Sequence, residues 1–481
     1  MKNWSVTHVT RSLKIGRNVI MKKYDLIVIG AGSAGLVAAT SGHRAGLKTA
    51  MIERRKIGGE CTHSGCVPSK ALLNAAKHYE SQNEFKKLGL TTPKKSKVNF
   101  AKVMSSIHSV IDGIYEHEKP ELFQKMGIDT YVNKSGAKFI DDKTVKVGKK
   151  TLKADKFIIC TGSSPRIIPI KGLNESKFLQ NDNFWELKKL PKHIVFIGGG
   201  VISVEIGSAL LALGSKVTIL EYAPKILGPI DKEVTDYMSL KLTKKGMNVL
   251  TDVRISHIEK SKSLNHKICF TIKGKKKSIN ADYLFQSVGR APNVTGLDLE
   301  KAGVKYSNKG IQTNNYLQTN KKHIYACGDC TTPFKFTHTA SHQANIIINN
   351  ITSSKKKKND LSILPWAVFT SPEIAHVGLT EDEAREKYGD DKVKVFRVDA
   401  TIDRFITDRK TGGFIKVVFG AKDKVLGADA VGAHAGEWIQ LITLIIKSNI
   451  PAKVVADTIF AYPTYSEIIK KVFTRYLRSK K

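Results

Sequence analysis

Two cysteines, Cys61 and Cys66, stand five positions apart in the run Gly58-Gly59-Glu60-Cys61-Thr62-His63-Ser64-Gly65-Cys66-Val67-Pro68-Ser69-Lys70. Thiols this close can exchange two electrons by opening and closing a disulfide, with the thiolate as the reactive form. Small residues flank both, and the run follows directly on a strand-like segment that ends at Glu53. A stapled pair in that place points to a redox disulfide held against a cofactor, not to a structural cross-link.

Such a pair needs an electron source, and two stretches have the pattern of one. Tyr24 to Ile29 reads as a buried parallel strand. It runs into Gly30-Ala31-Gly32-Ser33-Ala34-Gly35, an apolar helix to Ala45, Gly46 as its cap, and a strand from Lys48 to Ile52 that ends at Glu53. Gly30 allows a tight turn, Gly32 lets backbone approach a pyrophosphate, and Gly35 lets the helix pack closely on the strand. The helix N-terminus offers N–H groups to phosphate, and Glu53 would accept from ribose hydroxyls. The unit recurs. A strand from His193 to Ile197 leads into Gly198-Gly199-Gly200-Val201-Ile202-Ser203, a helix to Leu213, Gly214, a strand from Lys216 to Leu220, and Glu221. In both copies the cap comes sixteen residues after the first glycine and the acid twenty-three after. The chain therefore carries two dinucleotide-binding units, with Ser203 as a small substitute for the third glycine. Glu221 would repel a 2′-phosphate, which favours NAD over NADP, while Lys225 nearby pulls the other way.

Around these units lie sheet-rich connections. Thr151 to Cys160 leads into Thr161-Gly162, and Ala281 to Val288 leads into Gly289-Arg290-Ala291-Pro292-Asn293. The run His323 to Asp329 is a short buried strand ending in Gly-Asp, from which a carboxylate could reach a cofactor's polyol. The polar stretch Ser353 to Asp360 reads as a solvated boundary. Beyond it, strand-like Gly413 to Phe419 and Val425 to Val431 precede helical stretches near Ala435 to Ser448, Pro451 to Asp457 and Thr464 to Arg478. This reads as a separate α+β domain.

Bulk properties bound the answer. A chain of 481 residues implies several domains, and 41% hydrophobic content supports sizeable cores. No run reaches the roughly 18 apolar residues that span a bilayer. Six cysteines are not a secreted disulfide framework and suit a reducing, cytoplasmic setting. The net charge of +36 invites a nucleic-acid reading. The lysines are spread out and no aromatic residues interleave with them as in a base-stacking platform, so nucleic acid is not the expected partner. Residues 1 to 24 hold six basic residues and no acid. That segment reads either as an organellar presequence or, preferably, as an extension upstream of a start at Met21.

Taken together, these motifs resemble the pyridine nucleotide-disulfide oxidoreductases, the group of dihydrolipoyl dehydrogenase, glutathione reductase and mercuric reductase. The likeness runs from Tyr24 to Arg478. Gly58 to Lys70 is its most specific part, differing from the usual pattern mainly at Glu60, Thr62 and His63. Ile324 to Asp329 looks like the family's second flavin motif. Phe369-Thr370-Ser371-Pro372-Glu373 and Ala435-Gly436-Glu437 look like its interface landmarks. The resemblance implies an α/β fold of two Rossmann-like units that bind FAD and NAD(P), plus a C-terminal α+β dimerisation domain. The implied division is an extension over 1–23, FAD-binding parts over 24–162 and 285–355, the NAD(P) unit over 163–284, and the dimerisation domain over 356–481. Electrons would pass from NADH through FAD to the Cys61–Cys66 disulfide. Cys66 would lie beside the flavin, and Cys61 would face a small-molecule or metal-ion acceptor in a homodimer. The implied cofactor contacts are Gly30, Gly32, Gly35, Glu53, Gly59, Lys70, Thr161, Gly162, Gly198, Gly200, Glu221, Gly289, Asp329 and Ala340. Lys70 matches the family lysine near the flavin and Glu205 its carboxylate partner, although both could be ordinary surface charges.

The telling departure is near the C-terminus. Where the disulfide reductases have a His-Pro pair followed by a Glu, this chain reads Ala461-Tyr462-Pro463-Thr464-Tyr465-Ser466-Glu467. Imidazole titrates near neutral pH, whereas a phenol does so near ~10. Tyr462 and Glu467 thus fill the acid/base positions without the usual chemistry, and Thr464-x-x-Glu467 also reads as a capping box for the last helix. Mercuric reductases share a nearby tyrosine but normally add a C-terminal cysteine pair, and no cysteine follows Cys330 here. The best expectation is a mercuric-reductase-like enzyme with an undetermined acceptor. The alternatives are a dihydrolipoyl dehydrogenase or other disulfide reductase with an atypical acid/base residue, and a basic flavoprotein whose main role is binding. His63 reads either as a local base or soft-metal ligand or as an exposed polar residue. Cys327 and Cys330 look incidental, Cys160 and Cys269 look like core residues, and no metal centre is expected.

Overall fold

The computed structural model describes residues 22–91, 97–173, 177–261, 265–331 and 333–480. The basic leading segment and Met21 lie outside the described residues.

The first strand, Lys22–Ile29, is fully buried over its last four residues. It pairs in parallel with Thr49–Glu53 on one side and Lys150–Ile159 on the other. Asp129–Val132 extends the sheet beyond Thr49–Glu53, and Ile324–Ala326 pairs with the far end of Lys150–Ile159, both in parallel. Continuous apolar runs suit these strands because both faces of the sheet are covered. Helix Ser33–Arg44 and helix Thr337–Thr352 pack together over one face. Gly30, at φ +101, makes the turn into the first helix, and a Cβ there would come within 2.3 Å of the Cys160 carbonyl oxygen. Past the helix, Gly46 at φ +86 ends it in the left-handed conformation.

The second unit repeats this plan. Strands Asn248–Leu250, Lys216–Leu220, His193–Ile197 and Tyr283–Gln286 lie side by side in that order, all parallel. Helix Val201–Ala212 follows its glycine turn, and Gly214 ends it at φ +109. Ser203 packs fully buried in the place of the third glycine, its hydroxyl donating to the Gly198 carbonyl. An antiparallel three-stranded sheet, Arg254–Glu259, His266–Ile272 and Lys275–Ala281, is appended to this unit. Two short strands, Ser163–Pro165 and Arg290–Pro292, pair where the chain leaves and re-enters the first unit.

The C-terminal part is an antiparallel sheet in the order Trp366–Val368, Glu373–Gly378, Val425–Gly432, Phe414–Phe419, Lys394–Asp399. Helices Ala435–Lys447 and Glu467–Arg478 bury an apolar face against it. Lys416 lies on the buried strand Phe414–Phe419, and its ammonium reaches Asp231 at 2.7 Å and Glu381 at 3.1 Å. Asp231 also caps helix Lys232–Lys244, so the buried cation ties the second nucleotide unit to this domain.

The expected fold class holds, with two corrections in the C-terminal part. Strands Trp366–Val368, Glu373–Gly378 and Lys394–Asp399 precede the ones legible in the sequence. The last helix begins at Glu467, not at Thr464. The capping box is half made: the Glu467 carboxylate accepts from the Thr464 N–H at 3.0 Å, but the Thr464 hydroxyl turns to the Ala461 carbonyl.

Candidate active site

The cysteine run wraps against the first glycine turn. Gly58, at φ +98, donates its N–H to the Ala31 carbonyl at 2.9 Å. Gly59, at φ +63, comes so near Gly32 that an added Cβ would lie 2.8 Å from the Gly32 Cα. Cys61 sits in the short helix Gly59–His63, and Cys66 is the first residue of helix Cys66–Ser81. The Trp185 indole N–H donates to the Ser64 carbonyl at 2.9 Å and pins the segment between them.

Both cysteines are free thiols, Cys61 half-buried and Cys66 exposed. The Thr337 hydroxyl lies between them, 3.3 Å from the Cys61 sulfur and 3.5 Å from that of Cys66. The two thiols are driven apart in acidity. Cys66 is pulled down to about 6, first by the hydrogen bond from Cys61, then by Thr337 and the Lys70 charge, against burial and Glu205. Cys61 is pushed up, by that same hydrogen bond and by burial. Cys66 also stands at a helix N-terminus, where a thiolate is favoured. The arrangement is a dithiol with one sulfur ready to be an anion and the other its proton donor.

Lys70, one turn along that helix, pairs with Glu205 at 2.8 Å. Glu205 is buried in helix Val201–Ala212, and its other oxygen accepts the Phe369 N–H at 2.9 Å. The Lys70 ammonium lies 4.6 Å from the Phe369 ring centre. This is not a pair of surface charges. It joins the dithiol helix, the second unit and the C-terminal domain at one point.

The nucleotide cradles match in detail. Glu53 accepts from the Ala31 N–H at 2.8 Å, and Glu221 accepts from the equivalent Gly199 N–H. Glu53 also accepts from the N–H groups of Arg54 and Arg55, and Glu221 from that of Ala223. Both following helices start on a glycine with no side-chain cap, Gly32 and Gly200, so first-turn N–H groups are available to phosphate. A Cβ on Gly162, Gly200 or Gly289 would meet nothing within 4 Å, leaving open space beside the backbone. The residues thus fit two dinucleotides. Thr161 is fixed by its hydroxyl on the Asn293 carbonyl at 2.6 Å, and Ala340 packs on Gly328. Asp329 accepts from the Ser163 hydroxyl at 2.6 Å. Lys225 donates to the Ile230 carbonyl at 2.9 Å, which occupies the charge that weighed against Glu221.

Sequence reasoning missed several of these groups. Arg290 forks onto both oxygens of Glu60 and also donates to Ser163 at 2.7 Å, beside Asp329. The acid at position 60 was the visible signal, but nothing in the sequence named its partner. Thr337 gave no signal beyond opening a helix after Gly-Asp. His63 is half-buried, not an exposed polar residue: its Nε2 lies 2.8 Å from the Ile57 carbonyl, and the ring packs edge-on against Tyr115. Cys160, Cys327 and Cys330 are buried, whereas Cys269 is half-exposed and not core. Tyr462 is 70% exposed, and its hydroxyl donates to Asp403 at 2.7 Å, which holds the phenol above its usual range. Within one chain Tyr462 and Glu467 make no contact with the dithiol, in keeping with a role across a dimer interface or none.

Residues 24–344 match the pyridine nucleotide-disulphide oxidoreductase family, and residues 364–473 match its dimerisation domain. The chain belongs to this family. It is 34% identical to a mercuric reductase of Staphylococcus aureus over 451 residues, covering 93% of this chain and 81% of the relative. It is 33% identical to a dihydrolipoyl dehydrogenase of Bacillus subtilis (strain 168) over 460 residues, covering 93% and 96%. A solved structure of the HOCl-induced flavoprotein disulfide reductase RclA from Escherichia coli, as its Cu(II) complex, superposes with a TM-score of 0.84 at 26% identity. That match covers 95% of this chain and 100% of the other. The expectation of an FAD-dependent pyridine nucleotide-disulfide oxidoreductase holds at the level of the family. Among the described residues, no helix is long and apolar enough to cross a membrane.

Proposed function

We propose that this enzyme passes electrons from NADH to a thiophilic metal ion through the Cys61–Cys66 pair, in the manner of its mercuric reductase relatives. The observation that carries the reading is the asymmetry of the dithiol, with Cys66 poised as thiolate beside Lys70 and Cys61 kept as thiol. Bound FAD would accept hydride from the nicotinamide and hand the electron pair to the disulfide. Gly30, Gly32, Gly35, Glu53, Gly59, Thr161, Gly162, Asp329 and Ala340 hold the flavin nucleotide in this reading, and Gly198, Gly200, Glu221 and Gly289 the nicotinamide one. Lys70, fixed by Glu205, keeps a positive charge next to Cys66. The domain division read from the sequence is retained, with residues 356–481 joining two chains into a homodimer.

NADH is favoured over NADPH because both Glu221 oxygens face backbone N–H groups at the ribose end of the strand, and Lys225 is bound elsewhere. A metal ion is favoured as acceptor because its reduction needs no proton relay. Tyr462, held by Asp403, is a poor one near neutral pH.

An anaerobic NADH titration tests the electron path. The expected result is a long-wavelength thiolate-to-flavin absorption that a Cys66→Ser variant lacks. Fully bound flavin without that absorption in the unaltered enzyme would refute the disulfide route. Turnover with Hg(II), Cu(II), lipoamide and glutathione disulfide then tests the acceptor. Lipoamide reduction faster than metal-ion reduction would make the enzyme a dihydrolipoyl dehydrogenase instead.

A further inference from the structure

The appended three-stranded sheet carries a polar cluster that the electron path does not use. His257 on strand Arg254–Glu259 is the direct cross-strand partner of Cys269 on strand His266–Ile272. An irregularity between Ile255 and His257 leaves Ser256 as an extra residue, which re-aims the side chains after it. Glu259 lies two residues past His257 and so shares its face. His257 Nε2 is 2.8 Å from Glu259 Oε1. The ligand atoms of His257, Glu259 and Cys269 all lie within 4.8 Å of one another.

The Ser256 hydroxyl donates to the Cys269 carbonyl at 3.0 Å and lies 3.0 Å from His257 Nδ1. The far nitrogen of the ring is thus anchored to an oxygen, and Nε2 is the nitrogen turned into the cluster. An imidazole anchored in this way is the usual setting of a metal-bound histidine. The Lys267 ammonium sits on the other Glu259 oxygen, Oε2, at 3.0 Å, which leaves Oε1 to the cluster.

We propose that His257 Nε2, Glu259 Oε1 and Cys269 Sγ bind one thiophilic divalent cation of the zinc class, with the fourth position open to water. Nitrogen, carboxylate and thiolate are the donors such an ion takes, at distances of about 2.0 to 2.3 Å. Binding converts the Cys269 thiol to a metal thiolate and releases its proton to solvent. The site is on the appended sheet, whereas Cys61 and Cys66 lie in two helices of the first unit, and its ligands are spread over two strands with no motif spacing.

The test uses the flavin-loaded Cys61→Ser/Cys66→Ser enzyme, in which the dithiol cannot compete. Co(II) is titrated anaerobically and followed by its visible d–d absorption, at wavelengths beyond those of oxidised flavin. Bound Zn(II) is counted by metal analysis after gel filtration. The expected result is one ion per chain, with affinity weakened roughly tenfold or more by an added Cys269→Ser or His257→Ala. In the same parent, Zn(II) protects Cys269 from iodoacetamide, read by peptide mass spectrometry, so the outcome does not depend on a further variant folding. Absence of bound ion, unprotected Cys269, or affinity indifferent to Cys269→Ser would overturn the proposal.

Discussion

Thr337 offers a direct test of how the dithiol is tuned. Its hydroxyl contacts both sulfurs, so Thr337→Val removes one hydrogen bond to the Cys66 thiolate while keeping the shape of the side chain. A hydrogen bond to a charged group contributes about 1.5–3 kcal/mol. The 3.5 Å contact with Cys66 is long, which argues for the lower end. At 1.36 kcal/mol per pKa unit, about 1.5 kcal/mol raises the Cys66 value by about one unit. From about 6 it would move to roughly 7, and the thiolate fraction at pH 7 would fall from about nine-tenths to about half. The assay is the pH dependence of the long-wavelength thiolate-to-flavin absorption in the anaerobically reduced enzyme. Thr337→Ser, which keeps the hydroxyl, should titrate like the unaltered protein. The sign of the linked stability is also set. The folded value lies below the ordinary thiol value of 9.0, so the thiolate's contribution is full above pH 9 and fades as pH falls through about 6. Thr337→Val should therefore destabilise the reduced enzyme in alkaline but not in acid solution. A midpoint that moves by less than about 0.3 unit, or moves equally in Thr337→Ser, would show that the hydroxyl does not stabilise the thiolate.

Lys416→Met leaves Asp231, itself buried, and Glu381 without their shared cation, and should cost about 3 kcal/mol by urea unfolding. A loss below about 1 kcal/mol would mean that the capping N–H groups alone satisfy Asp231. Gly59→Ala places a Cβ 2.8 Å from the Gly32 Cα at a φ of +63, and should yield folded protein with a reduced flavin-to-protein absorbance ratio. Full flavin content would show that the two glycine segments can separate without harm. Steady-state kinetics should give a higher kcat/KM with NADH than with NADPH, and Glu221→Ala should narrow the gap, since it removes the charge that repels a 2′-phosphate. A preference for NADPH would instead give Arg254, stacked at 3.4 Å on Tyr222, the deciding role.

What the sequence made legible was periodic or repeated. The paired glycine turns, their caps and their acids were readable because one backbone task imposes the same residue types at the same spacing twice. In the structure even the contact from Glu53 to Ala31 recurs as Glu221 to Gly199. The cysteine run was readable because two thiols must lie within bonding reach of each other along the chain. Contacts between distant segments left no such trace. Thr337 is more than 270 positions from the sulfurs it touches, and Arg290 is 230 from Glu60. Strand Glu373–Gly378 lacks the run of branched residues that marks the other central strands, because its buried His376 is matched to Asp429 across the sheet instead. Cys269 was misjudged for a related reason, since alternation along a strand does not say which face of a small sheet is covered.

The two halves of the cycle differ in how completely a single chain specifies them. On the side proposed to take electrons in, the charged groups around the dithiol are paired within the chain. Lys70 has Glu205, Glu60 has Arg290, and Cys66 has Cys61 and Thr337. Such pairing is what holds a thiolate at a fixed acidity while the acceptor changes. On the side proposed to pass electrons out, Cys61 has its neighbour sulfur and the hydroxyls of Thr337 and Ser33, and the positions matching the family's acid/base pair, Tyr462 and Glu467, are bound to other groups. Tyr462 is spent on Asp403 and Glu467 on the Thr464 N–H, each satisfied locally. A proton-coupled acceptor would require both to give up these bonds when a second chain arrives. A soft cation needs only the two sulfurs, and that economy is the physical reason to look first among metal ions for what this enzyme reduces.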